Sequence, residues 1–174
     1  RDEPAAPAEL DALPVPDFSD FFRAREEAFP GRKGRVYVSV EASRGCWWGQ
    51  ISHCTFCGLN GGTMAYRRKG AARVAEEARK LVAAHPGVHL MFADNILDER
   101  SFDELIPGWA ERGDPTPKFF EVRPTLTRST LALLAAAGVT EVQAGIESLS
   151  DGSLRVMRKG LGAAHNVAFL RWCA

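Results

Sequence analysis

Short apolar segments alternate with stretches of amphipathic helix pattern, and this alternation constrains the fold most. Segments with the length and the β-branched or aromatic content of strands lie at 35–40, 88–92, 118–122 and 139–144. Between them apolar residues recur at helical spacing, as at Val74, Ala78, Leu81 and Val82. The order β-α-β-α-β-α-β-α predicts an α/β fold with a parallel sheet and right-handed crossovers, about half of a barrel.

Local signals mark the ends of several predicted helices. Ser101, with Glu104 three residues later, has the pattern of a capping box, and Pro107 is expected to kink that helix or to lie in a first turn. Thr127 is placed to cap the next helix. Gly138 stands where a left-handed C-terminal cap is expected.

Charge and hydropathy narrow the possible partners. The 22 basic residues balance 22 acidic ones, so nothing in the overall charge favours nucleic acid or an anionic membrane. No apolar run approaches the roughly 20 residues of a membrane-spanning helix, and no secretory signal core is present, so a cytoplasmic protein is predicted. Because Arg1 is not a methionine and the helical pattern at 166–174 stops without a cap, we expect a piece of a longer chain.

Three of the four cysteines share one Gly-rich loop after the first predicted strand. Cys46, Cys54 and Cys57 have the spacing C-x7-C-x2-C, whereas Cys173 lies in the last predicted helix, where a buried structural thiol is expected. A disulfide among the clustered thiols would leave one unpaired. A tetrahedral zinc site with His53 as fourth ligand and a four-iron, four-sulfur cluster with one open iron both stay open as interpretations.

The loops that follow the carboxyl ends of the strands are the expected ligand site, since α/β folds place their sites there. Besides the cysteine loop, they carry three polar segments. These are Asp94-Asn95, Glu121 with Arg123 as its expected ion-pair partner, and Gly145-Ile146-Glu147-Ser148.

The cysteine loop resembles that of a known superfamily. A three-cysteine loop after the first strand of a (β/α) repeat, with an aromatic residue before the last cysteine in Cys54-Thr55-Phe56-Cys57, is similar to the radical S-adenosylmethionine superfamily. The usual spacing there is C-x3-C-x2-C, and this chain has four more residues between the first two cysteines. The longer spacing occurs in the radical enzymes that mature ribosomally synthesised peptides (RiPPs), which this chain resembles more closely. The matching segments are Ser43-Arg44-Gly45-Cys46-Trp47-Trp48, Cys54-Thr55-Phe56-Cys57-Gly58-Leu59-Asn60-Gly61, Asp94-Asn95-Ile96-Leu97, Gly145-Ile146-Glu147-Ser148 and Met157-Arg158-Lys159-Gly160.

This resemblance implies a fold and a domain organisation. The fold is a partial (β/α)6 barrel of the TIM-like, radical S-adenosylmethionine type, truncated here to about four βα units. Residues 35–174 would be the radical S-adenosylmethionine core, incomplete at the C-terminus. Residues 1–34, with one short helix near 21–29, look like the linker that follows an N-terminal cobalamin-binding domain in many such enzymes, chiefly in Leu13-Pro14-Val15-Pro16-Asp17-Phe18.

The resemblance also implies residue roles. Cys46, Cys54 and Cys57 would hold a [4Fe-4S] cluster whose open iron binds the methionine end of S-adenosylmethionine. The other predicted cofactor contacts are Asp94 with its neighbour Asn95 near the amino group, Glu121 near the methionyl or ribose end, Glu147 at the ribose hydroxyls and Lys159 at the carboxylate.

The implied reaction is reductive cleavage of S-adenosylmethionine to a 5′-deoxyadenosyl radical that abstracts hydrogen from a precursor peptide. An electron donor such as flavodoxin or ferredoxin would be a partner, and no nucleic acid or membrane is expected. Cobalamin-dependent C-methylation of the peptide follows as a hypothesis. The alternatives are a non-catalytic zinc-binding folding module and a radical enzyme of another substrate class, such as a methylthiotransferase.

Overall fold

The structure is a computed structural model that describes residues 9–58 and 65–174. Within them the strands are Tyr37–Val40 (β1), Ser43–Arg44 (β2), Arg67–Arg68 (β3), His89–Phe92 (β4), Lys118–Val122 (β5) and Val139–Ala144 (β6). A parallel sheet has the order β1-β4-β5-β6, and β2 pairs with β3 as a separate antiparallel ribbon. The predicted α/β fold with a parallel sheet is therefore confirmed.

Helices fill the connections between the parallel strands. A 3₁₀ turn at Leu10–Ala12 precedes them. The helices are Ser19–Ala28 (α1), Trp47–Ile51 (α2), Ala71–Ala84 (α3), Ser101–Glu104 (α4), Ile106–Glu111 (α5), Arg128–Ala136 (α6), Asp151–Val156 (α7) and Ala163–Cys173 (α8). No helix in residues 9–58 or 65–174 is long and apolar enough to cross a membrane.

The core lies where helices pack on the sheet. Val38 and Val40 of β1 are fully buried, and the ring of Phe92 in β4 stacks on Phe120 of β5 at 4.1 Å between centroids. Trp109 of α5 packs on the same ring at 5.8 Å. Burial of these aromatic side chains favours folding, because each removes a large apolar area from water. Since all four strands pair in parallel, their carboxyl ends lie at one edge of the sheet.

Most helix boundaries follow the predicted local signals. The Thr127 side chain accepts the backbone N–H of Thr130 at the start of α6, and Gly138 has the left-handed φ of 80° after its end, as predicted. Pro107 lies in the first turn of α5, where its missing N–H needs no partner.

Two local predictions are wrong. The capping box is absent, because α4 already begins at Ser101 and its N-cap residue is Arg100. Cys173 is exposed rather than buried, since the groove that it lines beside α6 and β6 is open among the described residues. The motif residues Leu59, Asn60 and Gly61 lie outside the described part of the chain.

Candidate active site

A cavity of about 210 Å³ opens at the carboxyl edge of the parallel sheet. Its lining includes all three clustered cysteines: Cys46, Cys54 and Cys57. It also includes four of the five predicted cofactor contacts: Asn95, Glu121, Glu147 and Lys159. These side chains come from four separate strand ends, so the sheet brings together residues that are up to about a hundred positions apart in the chain.

The first cysteine is positioned by the residues around it. Cys46 is the N-cap of α2, and its Sγ accepts the N–H of Gly49 at 3.3 Å. Gly45 before it has a φ of 83°, a left-handed conformation that glycine adopts without steric cost. The Asn95 side-chain amide, from the end of β4, donates to the Gly45 carbonyl at 3.1 Å. Asn95 therefore fixes the backbone immediately before Cys46.

Asp94 lies outside the cavity, on the other side of the strand end. Its side chain is 4% exposed, and its Oδ1 accepts the N–H groups of Ala42 and Ser43 at the exit of β1. Burial raises the pKa of this carboxyl to about 7, although the two N–H groups favour the charged form. Its contacts are with the backbone that leads to Cys46, so a contact with the cofactor's amino group stays a prediction.

Two cationic side chains, Lys159 and Arg123, contact other residues of the cavity wall. Lys159 Nζ lies 3.4 Å from Glu147 Oε1 and 5.8 Å from the centroid of the Phe56 ring. Arg123 is nearly buried, donates to the Lys159 carbonyl at 2.7 Å and stacks over the Trp48 ring at 3.8 Å. The expected Arg123 to Glu121 ion pair is absent among the described residues, because Trp48 and the Lys159 carbonyl hold the guanidinium elsewhere.

Two ionisable groups in the cavity, Glu121 and Cys54, have a raised pKa. Burial raises the pKa of the Glu121 carboxyl. Burial also raises the pKa of the Cys54 thiol, while the positive charges of Lys159 and Arg123 act in the opposite direction. The two cations are therefore placed to balance negative charge on sulfur when thiolates bind metal.

The donor set fits an iron–sulfur cluster better than a single metal ion. Three thiols facing one cavity are the usual ligands of a [4Fe-4S] cluster. In the described residues no three His, Cys, Asp or Glu side chains, the three cysteines included, are close enough to bind a single metal ion. A four-iron cluster is larger, and its thiolates bind different irons. His53, the fourth ligand of the zinc interpretation, instead places its Nε2 3.0 Å from the Cys57 carbonyl oxygen.

Comparison with protein families decides the superfamily. The Radical SAM superfamily pattern matches residues 40–174, which include every predicted site residue. The chain belongs to the radical S-adenosylmethionine superfamily. Membership in the radical S-adenosylmethionine superfamily implies a [4Fe-4S] cluster and S-adenosylmethionine as cofactors, in agreement with the donor set of the cavity. The partial barrel expected for this superfamily is consistent with the four parallel strands.

Solved structures of a radical S-adenosylmethionine enzyme share the fold. The cobalamin-dependent enzyme OxsB with aqua-cobalamin and S-adenosylmethionine bound matches with a TM-score of 0.71 and 20% identity, over 97% of this chain and 25% of that one. OxsB with aqua-cobalamin bound matches with a TM-score of 0.64 and 20% identity, over 77% of this chain and 22% of that one. This chain thus spans about a quarter of the length of these structures. A search of curated proteins found no match.

Gln143 is a cavity residue that was not predicted from the sequence, whereas Trp48 and Phe56 were expected as aromatic walls of the cysteine loop and do line the cavity. Gln143 lines the cavity near the end of β6, and its place at the carboxyl end of a strand is the signal that points to it. Trp48 joins the wall through its contacts with Arg123 and with the Arg158 carbonyl. No local pattern indicates the second contact, because its partner follows more than a hundred residues later.

Proposed function

We propose that this chain is the core of an enzyme that cleaves S-adenosylmethionine reductively and modifies a ribosomally synthesised peptide. The observation that carries the proposal is the single cavity shared by three cysteines and four predicted cofactor contacts. Peptide modification is supported by the C-x7-C-x2-C spacing and by the segments similar to RiPP-maturing radical enzymes.

In the proposed site Cys46, Cys54 and Cys57 hold the cluster through their thiolates. When bound, the cluster and S-adenosylmethionine supply the electron and the carbon radical, and the protein supplies binding and orientation. Glu147 would accept hydrogen bonds from the ribose hydroxyls, and Lys159, which is paired with Glu147, would bind the carboxylate of the cofactor. Trp48 and Phe56 supply aromatic walls on this side of the cavity.

Cobalamin-dependent C-methylation is the specific reaction that we propose. It is supported by the fold shared with OxsB, which is named as a cobalamin-dependent enzyme, and by the resemblance of 13–18 to a linker after a cobalamin-binding domain. Accordingly, residues 1–34 are proposed as that linker and residues 35–174 as part of the core.

The proposed partners are a precursor peptide and a reduced flavodoxin or ferredoxin. The zero formal charge gives no support for a nucleic-acid substrate, which would need a basic face. All four cysteines are free thiols, which favours a reducing compartment, so we place the reaction in the cytoplasm.

The proposal is tested by anaerobic reconstitution with iron and sulfide. Uptake of about four irons per chain and an electron paramagnetic resonance signal that shifts on addition of S-adenosylmethionine are expected. Cys54→Ala should abolish both, and the matched Cys173→Ala variant, at an exposed thiol, should retain both. Stoichiometric zinc with no iron uptake would overturn the proposal. Methyl transfer is then tested with labelled S-adenosylmethionine and cobalamin on a longer protein that includes the proposed cobalamin-binding domain, because residues 1–34 would only follow that domain.

A further inference from the structure

The end of α7 makes a second set of contacts with the cysteine loop, outside the cavity. The Val156 carbonyl accepts the hydroxyl hydrogen of Thr55 at 3.2 Å, and the Met157 carbonyl accepts the Thr55 backbone N–H at 3.2 Å. Thr55 lies between Cys54 and Cys57, so both hydrogen bonds act on the short segment that carries two of the three thiols.

The next two carbonyls, those of Arg158 and Lys159, accept hydrogen bonds from side chains beside that segment. The Arg158 carbonyl accepts the indole N–H of Trp48 at 3.2 Å and lies 4.0 Å from Cys54 Sγ. The Lys159 carbonyl accepts Arg123 Nη2 at 2.7 Å. Four consecutive carbonyls, those of residues 156–159, therefore accept hydrogen bonds from the cysteine loop or from the wall that packs on it. We call these four carbonyls the carbonyl platform.

Helix geometry explains why these carbonyls are free to bind the loop. The last carbonyls of a helix have no partner within the helix and need one from elsewhere. The N–H groups of 157–159 return to the carbonyls of Ser153, Arg155 and Leu154, which leaves the carbonyls of 156–159 to the loop. The left-handed φ values of Arg158 (56°) and Gly160 (68°) then turn the chain away from the helix axis.

We propose that the carbonyl platform positions the Cys54–Cys57 segment for cluster binding and that Thr55 is its positioning residue. The platform belongs to the same turn as Lys159, whose Nζ is paired with Glu147 in the cavity. One rigid element thus sets both the thiols and the polar groups that face the cofactor. Cys46 is held separately, through Asn95 and Gly45, so the long spacing between the first two cysteines is bridged by two independent anchors. The inference rests on the proposed function for the identity of the bound cluster.

The first test uses the full chain without metal and measures alkylation rates of individual cysteines by peptide mass spectrometry. Thr55→Val removes the hydroxyl donor at an exposed site and keeps the side-chain shape. Loss of one hydrogen bond should raise the alkylation rates of Cys54 and Cys57 about three- to tenfold, with Cys46 and Cys173 unchanged. Thr55→Ser should restore the original rates.

Thr140→Val, at an exposed position of β6, is the matched control and should change no rate. Equal alkylation rates of Cys54 and Cys57 in Thr55→Val and the unmodified chain would overturn the proposed role of the carbonyl platform. If Thr55→Val fails to fold, Trp48→Phe tests the same idea, because it keeps an aromatic ring and removes the donor to the Arg158 carbonyl. An unchanged alkylation rate at Cys54 in that variant would also overturn it.

A second test measures iron release to a chelator after reconstitution. Thr55→Val should release its iron about three- to tenfold faster than the unmodified chain. Equal release rates would count against the platform. Faster alkylation in Thr55→Val, combined with no iron uptake by the unmodified chain, would support the positioning role of the carbonyl platform. The same result would overturn the proposal that the three cysteines bind an iron–sulfur cluster.

Discussion

The indole ring of Trp48 lies directly on Gly160. A β-carbon placed on Gly160 would stand 2.1 Å from the ring, closer than any real contact, and its φ of 68° is left-handed. Trp48 follows the first cysteine, and Gly160 follows the carbonyl platform. Glycine at 160 is therefore required for the cysteine loop and the α7 turn to approach each other.

Gly160→Ala should lower the free energy of unfolding by about 2–4 kcal/mol, because strain at a left-handed residue adds to the overlap with Trp48. Gly31→Ala is the matched control, since Gly31 has a φ of 66° and no atom within 4 Å of the added carbon. It should cost about 1 kcal/mol, the conformational strain alone. Urea unfolding of both variants gives the comparison, and equal losses would contradict the Trp48 contact.

Asp94 should make stability fall as the pH rises. Its folded pKa of about 7 lies above the unfolded value near 3.9, so the folded state holds more protons between these values. The stabilisation is fully present below about pH 4 and declines by about 2–4 kcal/mol as the pH approaches 7. Urea unfolding at pH 4.5 and 7.5 should show a smaller fall in Asp94→Asn than in the unmodified chain. Identical falls would mean that burial does not raise the Asp94 pKa.

A buried ion pair behind the cysteine loop should be costly to break. Lys69 Nζ lies 2.7 Å from Glu77 Oε2, and both side chains are almost wholly buried. Glu77→Leu should lower the free energy of unfolding by about 3–5 kcal/mol, since it leaves the buried Lys69 charge without its partner carboxylate. The double variant Lys69→Met with Glu77→Leu should recover much of this loss in urea unfolding. A double variant less stable than the single one would contradict the expectation.

Glu147 should contribute to cofactor affinity. Glu147→Ala should weaken S-adenosylmethionine binding to the reconstituted protein about tenfold, with iron content unchanged, because a charged hydrogen-bond acceptor is lost. Equilibrium dialysis measures the affinity. Glu141→Ala is the control, as Glu141 pairs with Arg35 and Tyr37 away from the cavity. Equal affinities of the two variants for S-adenosylmethionine would mean that Glu147 does not contact the cofactor.

Local patterns predicted the Thr127 and Gly138 caps, because each depends on residues close together in sequence, and the order of strands and helices predicted the parallel sheet. They did not predict the β2–β3 ribbon, whose strands have two residues each and no periodicity to detect. They also misjudged Cys173, since the burial of a helix face depends on what packs against it.

The amino-acid sequence by itself determined the alternation of strands and helices, the thiol donors and the polar residues at four strand ends. Tertiary structure alone decided which way those residues face. Asp94 and Asn95 are neighbours in the segment after β4, yet Asp94 accepts hydrogen bonds from the backbone after β1 and Asn95 lines the cavity, which their positions in the sequence do not distinguish. The carbonyl platform is likewise a property of the fold, since backbone carbonyls carry no sequence signal and meet Thr55 only after the sheet has brought α7 beside the cysteine loop.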